Sequence, residues 1–489
     1  MDSDGAARVA PALAPGQHID GFVVGAHLHR GGMAQLWLVQ RADAGAEAPL
    51  VIKAPHIGRG DDPAMAVCFE VEQMILPALT GPHAPHFVAK GGLTAQPYIV
   101  MERIQGESLK PRFDAAPIGI DEVTEIGWKV ATALHDLHRQ HVVHLDVKPS
   151  NVMFRAGQGG GRGDAVLVDY GLSRHDHLPD LLAEEFTLPL GTGPYMSPEQ
   201  LRQVRNDPRS DLFALGVMLY HLVTGARPFG APTTVRGLRQ RLWREPVPPR
   251  ALRADCPPWL QELILRCLEV DPLRRHQSAA QLALELRHPQ QVVLGERAAR
   301  VQPAKAWSHA RRWFAVLRAG DARAPGAAMQ AGNSPILLAA VDVAGAEPAL
   351  LGAVLEAVSR ALQGQPAARL ACLTVLRSSR IGVDAAQSPG ESSRHVQLLV
   401  QLKHWAHPLV RSLGLLAPGQ AGRVTFHVIE APEAAAAIVE YARRNQVDHI
   451  VVGARSSGRL RQHLGSVSAQ VAAQAECSVT VVRLAGPAG

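Results

Sequence analysis

The chain has 489 residues, 47% of them hydrophobic and 19% charged. That length corresponds to about three domain-sized units, and the composition excludes a disordered chain. The formal net charge is +6, but seven Lys/Arg against two acids fall within residues 289–333; one segment carries most of the excess, so no nucleic-acid partner is expected.

No apolar run reaches the ~18 residues that cross a bilayer, so no transmembrane segment is expected, and residues 1–15 lack the basic start and apolar stretch of a secretory signal. The expected address is the cytoplasm. Cys68, Cys256, Cys267, Cys372 and Cys477 form no C-x-x-C pair and have no His at zinc-ligand spacing, so they read as reduced, mostly buried thiols.

Along the chain, a tail (1–16) is followed by short β-like runs at 22–28, 36–40, 50–54 and 98–101, then by long apolar-periodic helices such as 126–137 and 212–223. A small β-rich lobe thus precedes a larger helical one, and the unit spans 17–289. The Ala-, Gln-, Gly- and Pro-rich basic stretch 290–333 reads as a linker. Inside it, Trp307, Ala310, Trp313, Phe314 and Leu317 share one helical face beside Lys305, Arg311, Arg312 and Arg318. The expected role of that face is packing on a neighbouring domain; a helix lying on a membrane surface or binding a partner is the alternative. Beyond it, in a unit of residues 334–489, strands at 336–341, 371–376, 424–429, 449–452 and 479–482 alternate with helices at 347–363, 396–413, 433–445 and 466–475. Continuous apolar strands joined by crossover helices argue for a parallel sheet covered on both faces.

Transfer of a γ-phosphoryl group needs a grip on the triphosphate, a lysine, oxygen ligands for a metal and a carboxylate that orients the attacking hydroxyl. Residues of these types stand in order in the first unit. His144-Leu145-Asp146-Val147-Lys148-Pro149-Ser150-Asn151 follows a helix and a short apolar strand, and Val166-Leu167-Val168 leads into Asp169-Tyr170-Gly171. At these residues the chain resembles the eukaryotic-like serine/threonine protein kinases. The resemblance implies a bilobal α+β fold, ATP with Mg²⁺ or Mn²⁺, and a protein substrate presenting Ser or Thr. It makes Asp146 the acceptor of the hydroxyl proton, Lys148 a γ-phosphate contact, and Asn151 and Asp169 the metal ligands. Lys53 would hold phosphates with Glu72 as its ion-pair partner and Glu70 as the fallback. Leu28, Gly31, Gly32, Leu36, Val51 and Met101 would enclose ATP, with the backbone of Glu102 and Ile104 facing adenine. Downstream, Thr192 and Glu199 match the peptide-binding end of the activation segment, Asp211 the buried central helix, and Arg275 the partner of Glu199. Thr187 is the candidate phosphosite, Ser173 a second.

Two departures carry consequences. Glycines expected at 29 and 34 of a G-x-G-x-x-G loop are His29 and Ala34, so the loop should cover ATP less closely. Leu145 stands where the resemblance places an arginine that receives a phosphorylated loop, which removes the usual electrostatic reason for such a switch. The altered loop motivates the alternative of a catalytically weak or dead scaffold that senses nucleotide; the presence of Lys53, Asp146, Asn151 and Asp169 favours an enzyme.

In the last unit, Ile450-Val451-Val452-Gly453-Ala454-Arg455, Leu464-Gly465-Ser466 and Val479-Thr480-Val481-Val482 resemble the universal stress protein domain, an open five-stranded parallel, Rossmann-like α/β sheet. The resemblance implies a second nucleotide site at Asp342, Gly453, Arg455, Gly465 and Ser466, and a homodimer through this domain. The pattern G-x2-G-x9-G-[ST] is interrupted, with Ser456 at the second glycine and only eight residues between it and Gly465. A nucleotide-free dimerisation, sensing or regulatory module therefore stands level with nucleotide binding. The whole chain reads as a stress-signalling kinase.

Overall fold

A computed structural model describes residues 13–32, 34–42, 49–55, 63–91, 97–157, 161–186, 188–304, 312–314, 335–377, 389–415, 422–454 and 466–484. The first lobe is an antiparallel sheet of β1 (His18–Ile19), β2 (Phe22–Arg30), β3 (Ala34–Arg41), β4 (Leu50–Pro55), β5 (Phe87–Gly91) and β6 (Tyr98–Glu102), in the order β1-β2-β3-β4-β6-β5. Period-two alternation sorts its side chains. Ile52, Ala54, Tyr98 and Val100 join Trp37 and Val39 in a core on one face, while Val51, Ile99 and Met101 turn to the other. Lys53, in phase with Val51, is delivered to that second face. There α1 (Pro63–Ile75) packs, with Val67, Cys68, Phe69 and Val71 buried.

The helical lobe is built on α2 (Ile120–Arg139), whose buried Val123, Ile126, Val130, Leu134 and Leu137 recur at helical spacing. Asp121 and Glu122 in its first turn and His138 and Arg139 in its last complement the helix dipole. In the segment after Asp169 a short helix, α3 (Leu181–Glu185), lies against α1. Next comes α4 (Arg209–Thr224), buried on nearly every side, then α5 (Pro258–Cys267) and α6 (Ala279–Arg287).

The described part of the basic stretch is not a bare tether. Glu262 of α5 accepts from Arg297 at 2.9 Å and from the backbone N–H of Ala298 at 2.9 Å, and Glu269 takes Arg297 as well. Much of the positive excess read from the sequence is therefore spent on carboxylates of the helical lobe, Glu245 pairing with Arg300 and Arg312. Trp313 and Phe314 are 42% and 56% exposed, their rings touching each other; for these two the expected packing on a neighbouring domain is not what the structure has. Lys305, Trp307, Ala310, Arg311, Leu317 and Arg318 lie outside the described residues.

The C-terminal unit contains β7 (Ile336–Ala340), α7 (Pro348–Gly364), β8 (Arg369–Arg377), α8 (Pro389–Ser412), β9 (Val424–Ala431), α9 (Ala434–Arg444), β10 (His449–Gly453), α10 (Ser466–Gln474) and β11 (Ser478–Val482). All five strands are parallel in the order β9-β8-β7-β10-β11. Leu337 and Ala339 pack under α7 and α8, and Leu338 and Ala340 under α9 and α10, so both faces are covered as expected for a parallel sheet. This unit rests on the first: Leu376, Leu398, Leu399 and Val428 form one apolar cluster with Ala66 of α1. Among the described residues the five cysteines form no disulfide, and no helix is long and apolar enough to cross a membrane.

Candidate active site

The site lies between the two lobes. From β4, Lys53 Nζ reaches Glu72 Oε2 of α1 at 2.5 Å and Asp169 Oδ1 at 2.9 Å. Glu70, the fallback partner, points elsewhere, to Lys403 of the C-terminal unit at 2.9 Å; two residues along a helix turn a side chain by about 200°. Burial acts to lower the lysine, but the carboxylates of Asp169 and Glu72 outweigh it and hold it protonated. The same ammonium depresses Asp169 to about 2. Asp169 sits at φ +69°, and Gly171 lets the chain beyond it approach α1, where a Cβ would lie 3.1 Å from the carbonyl oxygen of Cys68. Tyr170 between them is buried.

The loop 144–151 supplies the other wall. Asp146 is 5% exposed and its carboxylate accepts from Lys148 Nζ at 2.6 Å, Asn151 Nδ2 at 3.1 Å, and the hydroxyl and N–H of Thr192 at 2.6 and 3.1 Å. Lys148 also donates to Thr192 Oγ1 at 3.1 Å. Thr192 therefore does more than mark the peptide-binding end, because it ties the activation segment to the Asp146 carboxylate. Behind the loop, Asp211 from the buried helix α4 accepts the N–H groups of His144 and Leu145 at 2.9 and 2.8 Å and contacts His138 Nε2 at 2.9 Å. These bonds hold Leu145 at φ +62°, a conformation a leucine rarely adopts. Leu145 itself is buried, and Gln200 Nε2 donates to its carbonyl at 2.8 Å.

Glu199 and Arg275 meet through two bonds of 2.6 and 2.8 Å, with Ser210 donating to Glu199 at 2.8 Å, all three buried. Ser197 and Gln200 cap the short helix that carries Glu199 with a reciprocal capping box. One supporting residue gave no signal in the sequence: Arg241, 1% exposed, donates to the carbonyls of Met196, Gly193 and Leu238, and burial lowers it to about 10. It lies in a run of arginines that reads as a solvated surface.

Around the cleft, Val51 pairs in register with Met101 and Leu36 with Lys53, while Leu28 is exposed on β2. Ile104 is buried, and the N–H of Glu102 is taken by the carbonyl of His86 at 2.8 Å. Gly31 and Gly32 form the β2–β3 turn, with the N–H of Gly31 on the carbonyl of Ala34 at 2.9 Å and the ring of His29 alongside. Ser173 is corrected as a phosphosite: it is 2% exposed and donates to the carbonyl of His144. Thr187 lies outside the described residues.

In the C-terminal unit a cavity of about 470 Å³ opens beyond β7 and β10, lined by Asp342, Gly453, Ser468, Thr374, Arg377 and Arg394 among apolar side chains. Arg455 and Gly465 lie outside the described residues; Ser466 opens α10.

Comparison with known proteins agrees with both halves. The family model of the protein kinase domain matches residues 84–286 and that of the universal stress protein family residues 335–483. The serine/threonine-protein kinase PknB of Mycolicibacterium smegmatis is 31% identical over 277 residues, covering 55% of this chain and 43% of that protein. A probable serine/threonine-protein kinase of Clostridium perfringens is 29% identical over 219 residues, covering 45% of this chain and 31% of its own length. The chain thus spans less than half of these two relatives. Among solved structures, the Mycobacterium tuberculosis PknI kinase domain matches at 24% identity and a TM-score of 0.43, covering 56% of this chain and 99% of that one. Residues 84–286 thus match a protein kinase domain and residues 335–483 a universal stress protein domain.

Proposed function

We propose that the chain is an ATP-dependent serine/threonine protein kinase acting in stress signalling, its kinase unit running over 17–289 and its second unit over 334–489. One observation carries this reading: Lys53 is bonded to Glu72 and Asp169, Asp146 is bonded to Lys148 and Asn151, and the carbonyl of Asn151 takes the N–H of Val168, next to Asp169, at 3.0 Å. Support for beginning the kinase unit before the matched residues comes from the sheet, in which β4 pairs with β6 and β3, β2 and β1 follow in order.

The donor set fits a hard divalent cation. Asp169 carries a carboxylate that stays ionised at neutral pH and is about one-third exposed, and the amide of Asn151 lies beside Asp146. Among the described residues no three His, Cys, Asp or Glu form a cage, consistent with an ion whose shell is completed by water and substrate phosphates. Mg²⁺ or Mn²⁺ held by Asn151 and Asp169 would neutralise charge on the phosphates. Lys53 contributes a fixed positive charge, oriented by two carboxylates so that it need not reorganise during transfer. Asp146 lies where it can accept a hydrogen bond from a Ser or Thr hydroxyl. Its bonds to Thr192 and Lys148 set its orientation and couple that orientation to the activation segment.

The second unit is proposed as a nucleotide-binding or regulatory module, because its cavity has the volume of a small-ligand site. The test of the kinase reading is incubation of the purified chain with Mg²⁺ and labelled ATP. Labelling of the chain or of a generic Ser/Thr substrate is expected, with loss of at least about 100-fold in Asp146→Asn. An equal signal from that variant means that Asp146 is not the working carboxylate; no signal from either chain leaves a nucleotide-sensing scaffold.

A further inference from the structure

The two halves meet at the two elements that set the geometry of the kinase cleft, and the charges there are complementary. The first half presents Glu70 of α1 and Glu184 and Glu185 of α3; the second presents Arg369, Lys403 and His427. Arg369 Nη2 lies 2.6 Å from Glu184, whose carboxylate also receives the Tyr441 hydroxyl at 3.1 Å. His427, fully buried, faces Glu184 at 3.2 Å through one ring nitrogen and Glu185 at 3.0 Å through the other. Arg444 donates to the carbonyls of Ala183 and Phe186 at the end of α3. Gly422, at φ +78°, touches Pro179 so closely that a Cβ would stand 2.5 Å from its ring. Burial pushes Glu184 up, yet Arg369 and His427 outweigh it and hold it below its ordinary value.

Leu145 stands where the resemblance places an arginine beside Asp146; within the first half Arg205 takes Asp180, the cap of α3, at 2.9 Å, while Glu184 and Glu185 of α3 itself turn to the second domain. Here acidic side chains of that segment are engaged by bases from the other domain. The same contact surface reaches α1: Glu70 is taken by Lys403 while Glu72, two residues on, is taken by Lys53. We propose that the second domain is a positioning clamp for the kinase site, in which Arg369, Lys403, His427 and Arg444 hold α1 and α3 where Glu72 engages Lys53. These are positioning residues, and the assignment rests on the kinase reading for its catalytic consequence.

Glu70 and Lys403, each about 13% exposed, lie nearer the rim than the Glu184 cluster and tolerate exchange better. The test uses the full-length chain with Lys403→Glu, Lys403→Arg and the reciprocal Glu70→Lys/Lys403→Glu. It reads kcat and the KM for ATP on a generic Ser/Thr substrate, together with hydrogen exchange across residues 63–75. Lys403→Glu is expected to lower kcat about fivefold and to speed exchange in α1, Lys403→Arg to retain both, and the reciprocal variant to recover most of the loss despite Lys90 nearby. Unchanged kcat and exchange in Lys403→Glu, or no recovery in the reciprocal variant, overturns the clamp. Exchange in α1 that follows the charge pattern in a chain transferring no phosphate supports the clamp and removes the kinase reading.

Discussion

Lys53 carries opposed obligations: it is nearly buried, which disfavours its charge, and it faces two carboxylates, which demand that charge. In Lys53→Met the Glu72 carboxyl, 2% exposed, would be left without its cation and would take up a proton. Asp169 would lose the main cause of its depression and titrate closer to an ordinary aspartate. A depressed carboxylate adds stability above its unfolded value near 3.9, and that stability disappears as pH falls towards the folded value of about 2. The Tm difference between wild type and Lys53→Met should therefore be widest above pH ~4 and narrow between pH ~4 and ~2. With Asp169 one-third exposed, its part of the difference is about 1 kcal/mol after screening. Melting curves across that range check it, and a difference that widens on acidification contradicts it. At this scale much was legible in the sequence, since Lys53, Asp146, Asn151 and Asp169 sit at motif spacings and the fold brings those spacings together. The resemblance puts Glu72 ahead of Glu70 as the partner of Lys53, and the structure pairs Lys53 with Glu72; the residues alone offer two acids on one helix, and only packing sets the helix phase.

Apart from a 3-10 turn at Pro149–Asn151 the loop 144–151 has no regular structure, and the bonds to its first two backbone N–H groups come from α4. Asp211 is the anchor, a buried acceptor for two consecutive N–H groups and a partner for His138. Asp211→Asn replaces one acceptor oxygen with a donor, so an N–H of the loop would face another N–H. An unsatisfied buried group costs about 1–3 kcal/mol, and Leu145 at φ +62° would relax away from its strained conformation. The expected result is a Tm lower by several degrees and a kcat lower by about tenfold or more, with the KM for ATP little changed, because β4 and β6 are untouched. A raised KM with an intact kcat would mean that Asp211 serves the ATP side of the cleft instead. The sequence announced α4 by an apolar pattern from Leu212 to Val223 that only His221 interrupts, and an acid heading such a helix needs a buried partner. It could not announce α3, whose five residues form a helix only where Asp180 caps them and where α1 and the second domain pack against them.

Strand and helix alternation revealed the second domain, yet nothing in the spacing of Arg369, Lys403 and His427 pointed to carboxylates more than 180 residues earlier. Such contacts become readable only once both folds exist. The same packing connects the clamp to the cavity beyond β7 and β10. Leu376 and Leu398 line that cavity and also belong to the apolar cluster that covers Ala66 of α1. A ligand in the cavity would restrain both side chains, and α1 would feel the change through direct contact, as a population shift requires. The crevice lies where the strand order reverses, the usual ligand position in open parallel sheets, and Asp342 there closes a turn by accepting the N–H of Gly345 at 2.9 Å. AMP, which has no γ-phosphate to transfer, is the informative probe, added to the full-length Lys53→Met chain so that the kinase cleft binds weakly. Hydrogen exchange is expected to slow around residues 341–345 and along α8, and to slow in α1 as well, with all three effects reduced in Asp342→Ala. Protection confined to the kinase cleft, or equal protection in Asp342→Ala, would leave the second domain with the clamp alone and no nucleotide to adjust it.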